Sequence, residues 1–221
     1  MLKTISFIRN YAASYPKRFG TLLALIGVLF LTPDTMIMRL SYLDRWPLMA
    51  WRGVLMGLTL LIIWRYFWVS NKKKEWHSLS SIPGLVVIFS FGINSITFTL
   101  GIQETSVMVV LTALATMPIF AAILSTIFMG ESQGLLGWIT IIFAMIGVAV
   151  VVGDGSNATG HPNGSTALGA LYGAITAFGL ALTFTMARKY KELGIVPAAA
   201  LGSLLSGCIG FYFSSYEDFF T

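Results

Sequence analysis

The chain has 221 residues, of which 56% are hydrophobic and only 10% are charged. Because an average soluble domain is about 25% charged, this composition excludes a soluble domain and indicates a protein that crosses a membrane several times. The net charge of +5 does not indicate a nucleic-acid partner, since the charged residues cluster between apolar runs. The single cysteine, Cys208, excludes an internal disulfide and a metal site with several cysteine ligands within these residues.

The tail 1–19 contains four basic residues and no acidic one. No apolar stretch follows its first charge, so it is not a secretory signal peptide, and we predict a cytosolic N-terminal tail. Apolar segments of the length that follows can cross a hydrocarbon core of roughly 30 Å as helices. We predict seven membrane-spanning helices, over residues 20–40, 46–68, 82–102, 106–129, 135–152, 167–187 and 196–213.

Basic residues are concentrated on one side of the predicted bundle. Eleven lie in the tail and in the connectors near 65–74 and 188–191, and two, Arg39 and Arg45, lie on the other side. Arg52 is set aside because it falls inside a predicted helix. Since basic connectors remain in the cytosol, we predict a cytosolic N-terminus, an external loop at 154–166 and a multi-pass protein of the cell (inner) membrane.

The stretch from 106 to 152 predicts a transmembrane helical hairpin. Its two apolar runs carry no charge, and they are joined by Gly130-Glu131-Ser132-Gln133. The first run has a proline, Pro118, near its middle. Glu131 is expected to lie at the start of the fifth helix, where a carboxylate interacts favourably with the helix dipole.

Four motifs stand out in this stretch: Pro118-Ile-Phe-Ala-Ala, Phe128-Met-Gly130-Glu131, Gly137-Trp and Gly147-Val. Together they form a helix with a central proline, a Gly-Glu turn and a helix with spaced glycines. This arrangement resembles the end of an EamA-type repeat of the drug/metabolite transporter superfamily. The resemblance extends over the first repeat and the start of a second, and it implies ten helices in the complete protein.

An internal repeat supports this organisation. Residues 20–39 align with 169–188 at an offset of 149, and 47–57 align with 197–207 one residue later. A first unit of five helices makes the second unit inverted, as in many transporters. We therefore predict an all-α, multi-pass integral membrane bundle of inverted five-helix repeats, with seven of ten helices present. Its parts are a tail at 1–19, a first repeat at 20–153, a loop at 154–166 and a truncated second repeat at 167–221.

Polar residues inside the predicted helices are candidates for a substrate pathway. Asp34, Arg52, Asn94 and Thr112 lie on four different helices, each about 9–12 Å below the predicted outer end. A charge in hydrocarbon needs a partner or water, so we predict that Asp34 and Arg52 interact. Two interpretations stay open: a fixed ion pair that sets helix register, or a pair that lines a polar cavity. The resemblance supports the second for Arg52, since the family often carries an arginine there.

Two further patterns make structural predictions. Gly53-x-x-x-Gly57 and Gly169-x-x-x-Gly173 predict close helix contacts within the bundle. Gln103 and Glu104 fall in a tight turn between the third and fourth helices and are expected to be solvated.

The resemblance implies a secondary transporter that exports small organic metabolites or drugs. The alternatives are a seven-helix membrane receptor and a non-transporting membrane scaffold. A retinal protein is disfavoured because 196–213 contains no lysine. An intramembrane enzyme is disfavoured because both histidines, His77 and His161, lie in connectors. We expect no enzymatic activity, no cofactor and no bound metal. The expected partners are a small-molecule metabolite and the lipid bilayer, with a homo-oligomer left open.

Overall fold

The computed structural model describes residues 16–67, 72–131, 134–155 and 165–214. These residues form helices, and no strand occurs among them. The helices are α1 (Pro16–Leu40), α2 (Arg45–Phe67), α3 (Lys72–Leu79), α4 (Ile82–Glu104), α5 (Val107–Leu114), α6 (Met117–Met129), α7 (Leu135–Gly155), α8 (Thr166–Lys189) and α9 (Ile195–Phe213).

Five helical stretches among the described residues are long and apolar enough to cross a membrane. They are α2 over Arg45–Tyr66, α4, the combined stretch Val107–Met129, α8 and α9. These five coincide with five of the seven predicted segments. Helices α1 and α7 coincide with the other two, but the side chains of part of each lie outside the described set. The total of seven spanning helices therefore stays a prediction.

The fourth predicted segment is not one continuous helix. Proline at 118 has no N–H to donate to the carbonyl four residues earlier, and its ring crowds the preceding turn. The helix is interrupted at Ala115 and Thr116. There the Thr116 N–H and hydroxyl both donate to the Ala113 carbonyl, at 3.1 and 2.7 Å. Helix α6 restarts with an Ile119 N–H bond to the Thr116 carbonyl at 3.0 Å. The predicted span is retained as the stretch Val107–Met129, but it is interrupted near Pro118 and is not one continuous helix.

Helix α3 lies in a stretch that the sequence interpretation treated as a connector. It is anchored to α2 by the Trp64 indole N–H, which donates to Glu75 Oε2 at 2.7 Å. The Ser78 hydroxyl accepts from the Gly194 N–H at 3.2 Å, so α3 is also fixed to the start of α9. Ser81 then caps α4 by accepting from the Gly84 N–H. The connector is therefore an ordered helix that is held against its neighbours.

The chain divides into two compact units, Met1–Tyr42 and Leu43–Thr221. In the described part of the first unit, α1 passes through Pro33 as a helix and ends at Leu40. The Ser41 hydroxyl donates to the Met38 carbonyl at 2.8 Å, which satisfies an acceptor at the helix end. Asp34 belongs to this first unit.

In the second unit, α4, α8 and α9 form the centre of the bundle. Helix α9 packs along α2 and α4, and α8 packs along α4, α5 and α6. The outer faces are apolar, as shown by Leu55, Phe89 and Phe143, which are 58%, 59% and 71% exposed. Many serine and threonine side chains and Asn94 are buried instead. This distribution is typical of a protein whose surroundings are hydrocarbon, because outward apolar groups need no cover there.

The two small-residue motifs pack within the bundle, as predicted. A Cβ at Gly57 would lie 2.9 Å from the Ala200 carbonyl oxygen on α9, and one at Gly53 would lie 2.7 Å from the Ser203 carbonyl oxygen. On α8, a Cβ at Gly173 would lie 2.8 Å from the carbonyl oxygen of Val110. Glycine permits these backbone contacts, which provide the van der Waals attraction between helices in a bilayer.

Candidate functional site

Helix α4 carries buried polar side chains on two sides inside the bundle. Its hydroxyls can be accommodated in a helix because they bond to carbonyls one turn earlier. The Thr97 hydroxyl donates to the Ile93 carbonyl at 2.9 Å, and that of Thr99 to the Ser95 carbonyl at 2.8 Å. The buried polar residues of α4 are Ser90, Asn94, Ser95, Thr97 and Thr99.

Asn94 joins α4 to the backbone of α8. Its side chain is buried, and its amide, oriented by its partners, donates to the Thr176 carbonyl at 3.1 Å and accepts from the Leu180 N–H at 3.2 Å. These two peptide groups are four residues apart on α8. The amide can approach so closely because position 179 is glycine, where a Cβ would collide with it.

A second contact lies one turn along the same interface. The hydroxyls of Thr97 and Thr176 are 2.7 Å apart, so one of them donates to the other, and the Thr176 hydroxyl also lies 2.9 Å from the Tyr172 carbonyl. On its other side, α4 is tied to α9, because the Ser206 hydroxyl donates to Ser95 Oγ at 2.7 Å. Helix α4 is therefore linked by buried hydrogen bonds to both α8 and α9.

Arg52 on α2 reaches the same helix. Its guanidinium carbon lies 5.2 Å from the centre of the Phe98 ring, a distance at which a cation is attracted to an aromatic face. Phe98 is four residues after Asn94, so the two lie on the same side of α4. Of the four predicted residues, Asn94 thus lies on α4, and Arg52 contacts α4 one turn away, through Phe98.

The other two predicted residues are placed differently. Thr112 is partly exposed on α5, and its carbonyl accepts from the Ala115 N–H at 3.1 Å where that helix ends. Asp34 is partly exposed on α1, in the other compact unit. The interaction of Asp34 with Arg52 therefore stays a prediction.

The Gly-Glu turn has a different role from the one expected for it. Gly130 ends α6 in the left-handed conformation, with φ at 69°, and its N–H bonds to the Thr126 carbonyl at 3.1 Å. Glu131 is not at the start of α7, which begins at Leu135. Its carboxylate accepts from Arg188 Nη2 at 2.9 Å, so it ties the end of α6 to the end of α8.

A further contact strengthens this connection. Lys189 Nζ donates to the Phe128 carbonyl at 2.8 Å, which satisfies an acceptor at the end of α6. The remaining residues of the motif lie on α7, where a Cβ at Gly147 would meet no described atom within 4 Å. Gly147 therefore makes no close helix contact among the described residues.

The expectation that Gln103 and Glu104 are solvated was wrong. Only 18% of the Glu104 side chain is exposed, and its carboxylate accepts from the Ser165 N–H at 3.2 Å and lies 4.0 Å from Arg45 Nη2. Gln103 donates to the Leu43 carbonyl at 3.2 Å. Together they fix the starts of α2 and α8 to the end of α4.

The sequence interpretation missed several members of the polar interface. Thr97, Thr176 and Ser206 were not singled out, although they carry its hydroxyl contacts. A signal was present, because positions 90, 94 and 97 repeat at the spacing of one helix face. No signal in the sequence shows which neighbouring helix that face meets.

The apolar outer faces, the spanning helices and the buried polar interface define a multi-pass helical membrane protein. The sequence model of the EamA-like transporter family matches residues 18–153, more than half of the chain. The chain therefore belongs to the EamA-like transporter family. No curated protein and no solved structure matches the chain. The family match ends before α8 and α9, so the second repeat remains a prediction.

Proposed function

We propose that this chain forms a secondary transporter of the cell (inner) membrane that exports small organic metabolites or drugs. Its substrate pathway runs along the polar interface between α4 and α8. The observation that carries the proposal is Asn94, a buried amide that bonds to the backbone of α8. Polar groups within spanning helices are costly, and they commonly mark the path of a substrate.

The depth of Asn94 supports this role. It lies ten residues before the end of α4 and twelve after its start, so it is about 15–18 Å from either end of the helix. Transporters with inverted repeats bind substrate near the bilayer midplane, where the two repeats meet. Helices α4 and α8 come from the two predicted repeats, so Asn94 has both the depth and the neighbour that such a site requires.

The packing of α2 on α9 supports the inverted repeat. Their contacts run antiparallel: Gly210 meets Ala50, and Gly207 meets Gly53. In the sequence alignment, position 53 corresponds to 203 and position 57 corresponds to 207. If the two helices are related by a two-fold axis, that axis passes midway between Leu55 and Leu205. A contact between 53 and 207 then requires an equivalent contact between 57 and 203. The backbone of Gly57 meets Ala200 and Leu204, on either side of position 203. The register of the packing therefore agrees with the sequence alignment.

Arg52 contributes charge to the proposed pathway. A guanidinium beside an aromatic ring keeps its positive charge, and its planar donors match a carboxylate or a phosphate. We infer that Arg52 and Phe98 orient an anionic group of the substrate, while Asn94 provides neutral hydrogen bonding one turn deeper.

The proposal can be tested in an exporter-deficient bacterial strain. The strain would express the chain with any coding sequence that continues it, and growth would be measured on toxic analogues of amino acids, nucleobases and organic acids. We expect raised tolerance to at least one analogue. Asn94→Leu should abolish that tolerance even after correction for membrane yield, because leucine keeps the size of the side chain and removes its polar groups.

The matched control is Thr99→Val. Thr99 lies on the same helix and is equally buried, but its hydroxyl bonds within α4 to the Ser95 carbonyl. This variant should retain the tolerance of the wild type. If Asn94→Leu keeps full tolerance, or if both variants lose it together, Asn94 has no specific place in the pathway.

A further inference from the structure

A cavity opens where the end of α2 meets α3. Its volume is about 590 Å³, and it is separate from the polar interface between α4 and α8. The residues that line it combine positive charge, hydroxyl and imidazole groups, and two indole rings: Trp64, Arg65, Lys73, Trp76, His77 and Ser80.

The aromatic wall of this cavity is held in place. The Trp64 indole N–H donates to Glu75 Oε2 at 2.7 Å, and the Trp64 and Trp76 ring centres are 5.8 Å apart. Trp64 is 9% exposed and Trp76 is 51% exposed, so one ring forms the base and the other remains accessible. The indole N–H holds the Glu75 carboxylate against Trp64, and Glu75 is not among the described residues that line the cavity.

The helix that carries Lys73 is also fixed in position. Its neighbour Lys74 pairs with Glu192 Oε1 at 2.6 Å, and Ser78 is bonded to the Gly194 N–H. These contacts hold α3 against the connector between α8 and α9. Arg65 and Lys73 are both exposed and both line the cavity. Two cations therefore face one space whose walls are already ordered.

The position of the cavity, near the end of a membrane-spanning helix, indicates the kind of ligand that it binds. The candidate membrane span of α2 ends at Tyr66, beside Arg65. Tryptophan and basic residues concentrate at this level of a membrane protein, where the phosphates of the lipid headgroups lie. We propose that the cavity binds the headgroup of an anionic phospholipid. Arg65 and Lys73 contact its phosphate, and the exposed face of Trp76 packs against its glycerol and upper acyl carbons.

The chemistry of the side chains fits this ligand. A guanidinium presents a planar pair of donors that matches two phosphate oxygens, and an ammonium acts as a compact charge beside it. A second cavity, of about 420 Å³, lies on the other side of His77. Its described lining includes Glu192 and no lysine or arginine, so it offers an anion no comparable site.

The test is a lipid titration of the purified chain in detergent, followed by native mass spectrometry. Phosphatidylglycerol and phosphatidylcholine would be added separately to the wild type and to four variants. Each basic side chain near an anionic surface contributes about fivefold to affinity. We expect Lys73→Gln to bind phosphatidylglycerol about fivefold more weakly, and Arg65→Gln with Lys73→Gln about 25-fold more weakly. Binding of phosphatidylcholine should not change.

Two control variants distinguish a specific lipid site from general electrostatic attraction of the lipid to basic residues. Lys191→Gln removes an exposed charge from the connector after α8 without touching either cavity, so it should bind like the wild type. Lys73→Arg keeps the charge and should retain affinity. Equal losses in Lys191→Gln and Lys73→Gln, or wild-type affinity in the double variant, would overturn the proposal. Displacement of the lipid by millimolar inorganic phosphate would instead assign the site to free phosphate and refute a lipid site.

Discussion

Replacing Gly179 with alanine is expected to displace the amide of Asn94 from α8. A Cβ at position 179 would lie 3.0 Å from the Asn94 Cγ and closer still to one of its terminal atoms. Native structures do not keep such contacts. The amide therefore has to move, and its bonds to the Thr176 carbonyl and the Leu180 N–H lengthen or break.

The expected loss in the free energy of unfolding follows from the two hydrogen bonds of the Asn94 amide. Hydrogen bonds between transmembrane helices contribute about 0.6 kcal/mol on average and up to about 1.7 kcal/mol each. Asn94→Ala removes both, so it should lower the free energy of unfolding by about 1–3 kcal/mol. Gly179→Ala should cost a similar amount. In the double variant there is no amide left to collide with, so its cost should be about 1–3 kcal/mol smaller than the sum of the two single costs.

The measurement is equilibrium unfolding in mixed micelles of sodium dodecyl sulfate and dodecyl maltoside, followed by far-ultraviolet circular dichroism. The control is Gly147→Ala on α7, where a Cβ would meet no described atom within 4 Å. That variant should remain within about 0.5 kcal/mol of the wild type. Additive effects of Gly179→Ala and Asn94→Ala would show that glycine at 179 does not serve the amide, and the reasoning would fail.

Two other predictions concern topology and the charged pair. In a Cys208→Ser background, Tyr42→Cys should react with an impermeant thiol reagent in intact cells and Lys191→Cys should not, because the basic side is predicted to be cytosolic; the reverse pattern would invert the topology. Arg52→Gln should lower both membrane yield and transport. Combining it with Asp34→Asn should restore more yield than transport if the pair has both a structural and a substrate role, whereas wild-type yield and flux in both single variants would exclude the pair.

The apolar runs predicted the spanning helices well, because hydrocarbon demands long apolar segments whose backbone groups are bonded internally. The glycines at 53, 57, 169 and 173 predicted close contacts between helices, because small residues let two helix backbones approach each other. Both rules depend on local sequence alone. The sequence also contained the proline that divides α5 from α6, although its position does not reveal which hydrogen bonds replace the lost one.

The partners of polar groups could not be predicted in this way. Glu131 was assigned to the nearest helix start, whereas it pairs with Arg188, 57 residues away in the chain. Glu104 was assigned to solvent, and it bonds to Ser165, 61 residues away. Such pairings depend on which helix ends lie together in the bundle, and that arrangement follows from the packing of whole helices.

The hydroxyl pair between α4 and α8 has a consequence for how these helices can move. Thr97 and Thr176 have one proton each, yet three contacts compete for them: the Ile93 carbonyl, the Tyr172 carbonyl and the contact between the two hydroxyls. Whichever hydroxyl donates across the interface gives up the bond to its own helix, so two arrangements have the same number of bonds. Exchange between them needs only the rotation of hydroxyl hydrogens. If α4 and α8 separate, each threonine donates to its own helix and neither proton is left unbonded in the hydrocarbon.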